Sequence, residues 1–145
     1  MRDFLVEEVG LDENEVRPID GSGMSRHNLI SPSAVCDLLL WAKTRPWYPQ
    51  FYEALAAGGE GTLSSRLKTS KFAGKTGTLS AVVSLSGYLE AQNGKTYVVS
   101  LLFNHTIARA RDVRKVQDRI IGLLEREELN WNEVGCVGSE EALAY

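Results

Sequence analysis

Two extended runs joined by a tight turn constrain this chain most. Residues 82–89, VVSLSGYL, and 95–104, KTYVVSLLFN, are rich in β-branched and aromatic residues, and Asn93-Gly94 sits between them. Asn-Gly supplies the positive φ angles of a two-residue type I′ turn, whose twist matches that of the strands it joins. The pair is therefore read as a β-hairpin. Residues 74–79 lie just ahead of it and are read as a third strand, giving an antiparallel meander with Lys75 near the start of its first strand.

Helical patterns flank the meander. Phe4, Leu5 and Val9 recur at rough helical spacing and stop at Gly10, a residue that accepts positive φ, so residues 1–9 read as a short helix. The stretch ENEVRPIDGSGMSRHN reads as a short extended piece ending in a tight loop. Ser31 followed by Pro32 is a cap and first turn, and Val35, Leu38, Leu39 and Ala42 make one apolar face, which predicts a helix over 32–44 ended by Pro46. A second helix is expected over 48–57, closed by GGEGTL. The last spans about 108–128, with Val113, Val116, Ile120 and Leu124 as its apolar stripe and Arg109, Arg111, Arg114, Lys115 and Arg119 mainly on its solvated face. The tail from about residue 130 has no strong period and reads as a loose end. The fold class is α+β, an antiparallel meander packed by helices.

Composition bounds the function. With 145 residues, 43% hydrophobic and 24% charged, the chain is sized for one globular domain with a real core. A net charge of −3 with dispersed Lys and Arg gives no nucleic-acid footprint. No apolar run approaches the ~20 residues of a membrane span, and MRDFLVEEVG has acidic residues where a signal peptide has its apolar region. Cys36 and Cys136 fit no metal or redox spacing and are expected to be reduced thiols. His27 and His105 give too few ligands for a metal site, and no cofactor is expected.

The chemistry concentrates in KFAGKTGTL, residues 71–79, where Lys75 stands between two glycines. A phosphate-cradling loop would need glycine at position 69, which is Thr, and a helix after Lys75-Thr76 rather than a hairpin. Two readings remain open on the residues alone. In one, the ammonium and a threonine hydroxyl hold a carboxylate, and Gly77 lets an extended peptide lie against the strand edge. In the other, Lys75 is a solvated lysine on an ordinary strand.

Three blocks, DGSGMSRHNLISP (20–32), GEGTLSSRL (59–67) and KTGTLSAVVSLSGYLEAQNGKTYVVSLLFN (75–104), occur in the same order as in the low-molecular-mass class C penicillin-binding proteins. The chain resembles the C-terminal part of these D-alanyl-D-alanine carboxypeptidases and endopeptidases of peptidase family S13. The resemblance implies a serine β-lactamase/transpeptidase-like domain whose Lys-Thr-Gly strand borders the active-site cleft. It implies that Lys75 supplies positive charge and helps poise the proton network, that Thr76 and Thr78 hydroxyls hold the terminal carboxylate of a peptidoglycan stem peptide or β-lactam, and that Gly77 keeps the strand open. The Thr78 amide would be one of two oxyanion donors.

Family chemistry acylates a Ser in Ser-x-x-Lys with help from Ser-x-Asn. No Ser-x-Asn occurs here, and the only Ser-x-x-Lys, Ser65 to Lys68, falls in the GTL-x-x-RL block, which holds no nucleophile in the family. No nucleophile is assigned. Asp20, Ser25 and His27 lie too close in sequence to converge as a triad and are read as a structured loop. The chain is thus expected to be a fragment or truncated relative, inactive alone, from an extracytoplasmic parent. Its uncovered sheet edges predict self-association or a need for an upstream half.

Overall fold

A computed structural model describes residues 1–127; the tail from about residue 130, with Cys136, lies outside the described residues. The elements run from a π-helical turn (Phe4–Glu8) through β1 (Val16–Arg17), β2 (Leu29–Ile30), α1 (Pro32–Lys43), α2 (Tyr48–Glu53), β3 (Ala56–Ala57) and a 3-10 turn (Gly61–Leu63). They continue with β4 (Phe72–Leu79), β5 (Val82–Glu90), β6 (Thr96–Asn104) and α3 (Ala110–Glu125). β1 and β2 form a small ribbon, while β3-β4-β5-β6 is an antiparallel sheet whose spatial order is its chain order.

Local chemistry accounts for the helix starts. Ser31 is extended, and its hydroxyl accepts from Ala34 N at 2.9 Å while donating to Glu15 Oε2 at 2.7 Å, so α1 begins where the Ser-Pro pair placed it. The expected N-terminal helix is a single π-type turn, and Gly10 beyond it has φ 84°. The helix expected over 48–57 stops at Glu53. Ala56 and Ala57 instead pair with Gly74 and Ala73, because the sheet offers these small residues a hydrogen-bonded edge. The sheet therefore has four strands where the meander predicted three.

The turn between β5 and β6 differs from expectation. Gly94 N bonds to Ala91 O at 2.9 Å and Ala91 N to Lys95 O at 2.8 Å, and only Gly94 has positive φ, 82°. This is a three-residue loop with glycine in the left-handed region, not a two-residue type I′ turn. Asn93 acts through its side chain, whose Oδ1 accepts from Lys95 N at 2.8 Å. The tight two-residue turn is the other one, Ser80-Ala81 between β4 and β5, with Ala81 at φ 58°.

The sheet buries both faces unequally. Phe72, Leu85, Leu89 and Val99 point to one face and pack with Leu63 and with Ile121 and Leu124 of α3. On the other face, Tyr88 donates its hydroxyl to Leu39 O of α1 at 2.7 Å and meets Tyr48 edge-on at 5.4 Å. Burial, with Tyr48 adding to it, raises the Tyr88 phenol far above its ordinary range and keeps it a neutral donor. The buried residues of α3 are Val113, Gln117, Ile121 and Leu124, while Val116, expected in the stripe, is 48% exposed. Helical spacing with Val113, Ile121 and Leu124 brings Gln117 to the inner face, where its Oε1 accepts from Arg66 Nη2 at 3.0 Å and its buried Nε2 has no hydrogen-bond partner among the described residues.

Gly74 and Gly87 face each other across β4 and β5. A Cβ at Gly87 would lie 2.1 Å from Ala73 O, and one at Gly74 would lie 2.4 Å from Ser86 O and 2.6 Å from the Phe72 ring. Backbone cannot rotate away as a side chain can. Gly87→Ala is expected to lower unfolding free energy by about 3 kcal/mol, measured by urea denaturation, because the strands must separate to admit the methyl.

Candidate functional site

β4 is paired with β5 along its whole length, but β3 covers it only opposite Ala73 and Gly74. Among the described residues, no strand lies against Lys75 to Leu79 on the outer side. Gly58 N bonds to Phe72 O at 3.0 Å, so the Phe72 backbone points away from β5. In an antiparallel strand these directions alternate residue by residue. The N–H and C=O of Thr76 and Thr78 therefore point outward, into the open edge. A hollow of about 390 Å³ adjoins it, lined in part by Leu55, Glu60, Gly61, Thr62, Gly74 and Lys75.

The sequence-assigned side chains lie together on this edge but not on one face. Lys75 is exposed, and its Nζ donates to the outward Thr76 carbonyl at 2.8 Å. Thr76 is half-buried on the opposite face, which it shares with Phe72. Thr78, on that face too, is exposed, and its Oγ1 accepts from Arg114 Nη2 at 3.0 Å. Gly77 faces Ser84 across the pair, and a Cβ there would lie 2.3 Å from Ser84 Oγ. Beside it, the Ser86 and Ser100 hydroxyls are 3.0 Å apart, so polar groups line the sheet on the Lys75 side.

Sequence reading placed Arg114 on the solvated face of the last helix, whereas it is half-buried and reaches the strand. Arg66 was likewise only part of a family block. Its guanidinium grips Asp118 at 3.0 and 2.7 Å and Gln117 at 3.0 Å, tying the segment before β4 to α3. No periodicity in the sequence signals either contact, since each joins residues far apart in the chain.

Ser65 and Lys68 lie in turns, and Leu67 between them has φ 51°. This backbone is not the helix start that a Ser-x-x-Lys nucleophile requires. Asp20 organises its own loop: Oδ1 accepts from Ser22 N, Ser22 Oγ, Gly23 N and Asn28 Nδ2. Only Gly23 of its two glycines takes positive φ, 73°. His27 N bonds to Ser25 Oγ at 3.2 Å, and nothing joins His27 to Asp20. Burial, with Asp37 beside it, raises the half-buried Cys36 thiol, which is therefore a poor nucleophile.

Residues 1–127 match the D-Ala-D-Ala carboxypeptidase 3 (S13) family. The chain belongs to peptidase family S13. One relative, a D-alanyl-D-alanine carboxypeptidase from an Actinomadura species, is 37% identical over 97 residues, covering 60% of this chain and 18% of its own length. Another, penicillin-sensitive carboxypeptidase A from Dictyostelium discoideum, is 26% identical over 136 residues, covering 86% of this chain and 26% of its own. The S13 chain thus spans about a fifth to a quarter of the length of these curated relatives. Its fold is that of part of penicillin binding protein 4 from Haemophilus influenzae. One structure of that protein has a TM-score of 0.71 at 22% identity, covering 86% of this chain and 30% of the other. A second, complexed with a β-lactam, has a TM-score of 0.64 at 24% identity, covering 74% and 28%. No helix among the described residues of the S13 chain is long and apolar enough to cross a membrane.

Two outcomes follow for the S13 edge and its loop. Gly77→Ala is expected to cost about 1–2 kcal/mol, and adding Ser84→Ala should recover most of it, because the obstruction is one hydroxyl; equal losses in the single and double variants, measured by thermal unfolding, would contradict this. Asp20 has its pKa held below the ordinary carboxylate value, chiefly by the Asn28 side chain. Its contribution is present above the unfolded pKa and lost as pH falls through the lowered folded value. Protection of the Ser22 and Gly23 amides should therefore decline only below about pH 4, and not in this way in Asp20→Asn.

Proposed function

We propose that this S13 chain forms the Lys-Thr-Gly wall of a serine-type D-Ala-D-Ala carboxypeptidase site acting on peptidoglycan stem peptides. The observation that supports it best is the outward-facing backbone of Thr76 and Thr78 on an uncovered strand edge, with the Lys75 ammonium at the same edge. An extended peptide can add to such an edge as a further strand. Its terminal carboxylate is held by the Thr76 and Thr78 hydroxyls, and Gly77 leaves room for its backbone. The reacting carbonyl then accepts a hydrogen bond from Thr78 N–H, which strengthens as negative charge develops on the oxygen.

In the reaction proposed, a serine hydroxyl attacks the carbonyl of the penultimate D-alanine and loses its proton to a neighbouring base. The terminal D-alanine leaves with a proton on its nitrogen, and water then hydrolyses the acyl-enzyme ester. Lys75 supplies positive charge to this proton network. The serine and its Ser-x-x-Lys and Ser-x-Asn partners come from residues outside these 145, which leaves this chain inactive alone. The proposed parent is extracytoplasmic. β6 has no strand beyond it among the described residues, and this second open edge is the proposed place of self-association or of pairing with an upstream half.

A second reading, a non-catalytic module that binds cell-wall peptide reversibly on the same edge, draws on the turn geometry of Ser65 to Lys68. Fluorescent penicillin applied to this chain and to a version extended upstream in its reading frame separates the two. Covalent labelling of the extended form alone is expected, and Lys75→Ala should slow it about a hundredfold or more. Labelling of the short chain at Ser65 would overturn the assignment, and labelling of neither would favour the module.

A further inference from the structure

Arg114 has an unusual setting for a helix-surface arginine. It lies in the second turn of α3, and its Nη2 donates to Thr78 Oγ1 at 3.0 Å. By spacing its natural partner is Asp118, one helical turn on. Asp118 is already gripped by Arg66, through Nε at 3.0 Å and Nη2 at 2.7 Å, and the Arg66 side chain is only 11% exposed. Arg66 Nη2 also donates to the Arg114 carbonyl at 3.3 Å, which fixes this turn of α3 against the segment before β4. Among the described residues no carboxylate pairs with the Arg114 guanidinium.

Three consequences converge on the strand edge. First, a guanidinium carries five N–H donors in a planar fork, and Thr78 uses one of them. Second, a threonine hydroxyl that accepts from arginine must direct its own proton elsewhere, and Thr78 is exposed at the open edge. Third, Lys75 and Arg114 bring positive charge to the same short segment from opposite faces of the sheet. Donors from a fork and a hydroxyl, side by side and with no carboxylate among the described residues paired to the guanidinium, match the two oxygens of a carboxylate.

We propose that Arg114 is a carboxylate-binding residue of this site, holding the free C-terminal carboxylate of an extended peptide jointly with the Thr78 hydroxyl. The proposal rests on the reading of β4 as a peptide-binding edge and adds to it the charge that selects a free C-terminus. Arg66 acts one step back, as the positioning residue that keeps Asp118 from competing for Arg114.

Amide-shift titrations of the 145-residue chain with N-acetyl-L-lysyl-D-alanyl-D-alanine and with its C-terminal amide test this. The original chain is expected to prefer the carboxylate form, with shifts at Thr76 and Thr78. Arg114→Ala should weaken binding of the carboxylate form about tenfold and leave the amide form unchanged, and Arg114→Lys should recover only part of the loss, since it restores charge without the fork. An Arg114→Ala chain that keeps the full preference overturns the role of Arg114 while the edge reading stands. An original chain with no preference, or with no binding, overturns both. Should Arg114→Ala lose its folded spectrum, Arg114→Lys decides: unchanged affinity for the carboxylate peptide overturns the proposal, and a several-fold loss supports it.

Discussion

The close approach of β4 and β5 at Gly74 and Gly87 is the constraint on which the rest depends. Each glycine sits where a methyl would strike the other strand's backbone, so the pair is held in one register by the absence of side chains. That register sets Lys75 opposite Ser86 and Gly77 opposite Ser84. It also decides which backbone groups are spent on β5 and which are left outward. A slip of one residue would exchange the ammonium and the hydroxyls between faces and drive Phe72 out of the core. Core and proposed site thus share the same eight-residue strand.

The two faces impose different demands. Phe72, Leu85 and Leu89 require the apolar side of α3, and Thr76 and Thr78 share that face because side chains repeat every second residue. The helix that seals the core consequently ends its polar flank beside the strand edge, and Arg114 reaches Thr78 from there. Arg66 makes this arrangement rigid, since losing it would strand the buried Gln117 and the half-buried Asp118 together.

Much of this was legible in the sequence, for identifiable reasons. The β-branched runs located β5 and β6, and Ser31-Pro32 located the start of α1, because both signals are local. The turn after β4 was not legible: Ala81 takes φ 58° with no glycine or asparagine to announce it. Nor was β3, since Ala56-Ala57 has helical propensity and becomes a strand only by meeting Ala73-Gly74. For the proposed site, Lys75 to Thr78 stand out in the sequence as a short motif in the company of two other blocks. Arg114 does not, because helical periodicity says only that it lies off the apolar stripe, and its partner is 36 residues away.

The identity of chain order and spatial order in the main sheet bears on how the molecule assembles. β4, β5 and β6 each pair with the strand before them in the chain, and the links from β4 to β5 and from β5 to β6 are short enough that little chain entropy is lost in closing them. Topologies dominated by such neighbouring contacts fold fast for their size. The clamp between Arg66 and Asp118, which bridges 52 residues, closes a far longer stretch of chain than the turns within the meander. The meander is therefore expected to form before α3 docks and completes the surroundings of Thr78.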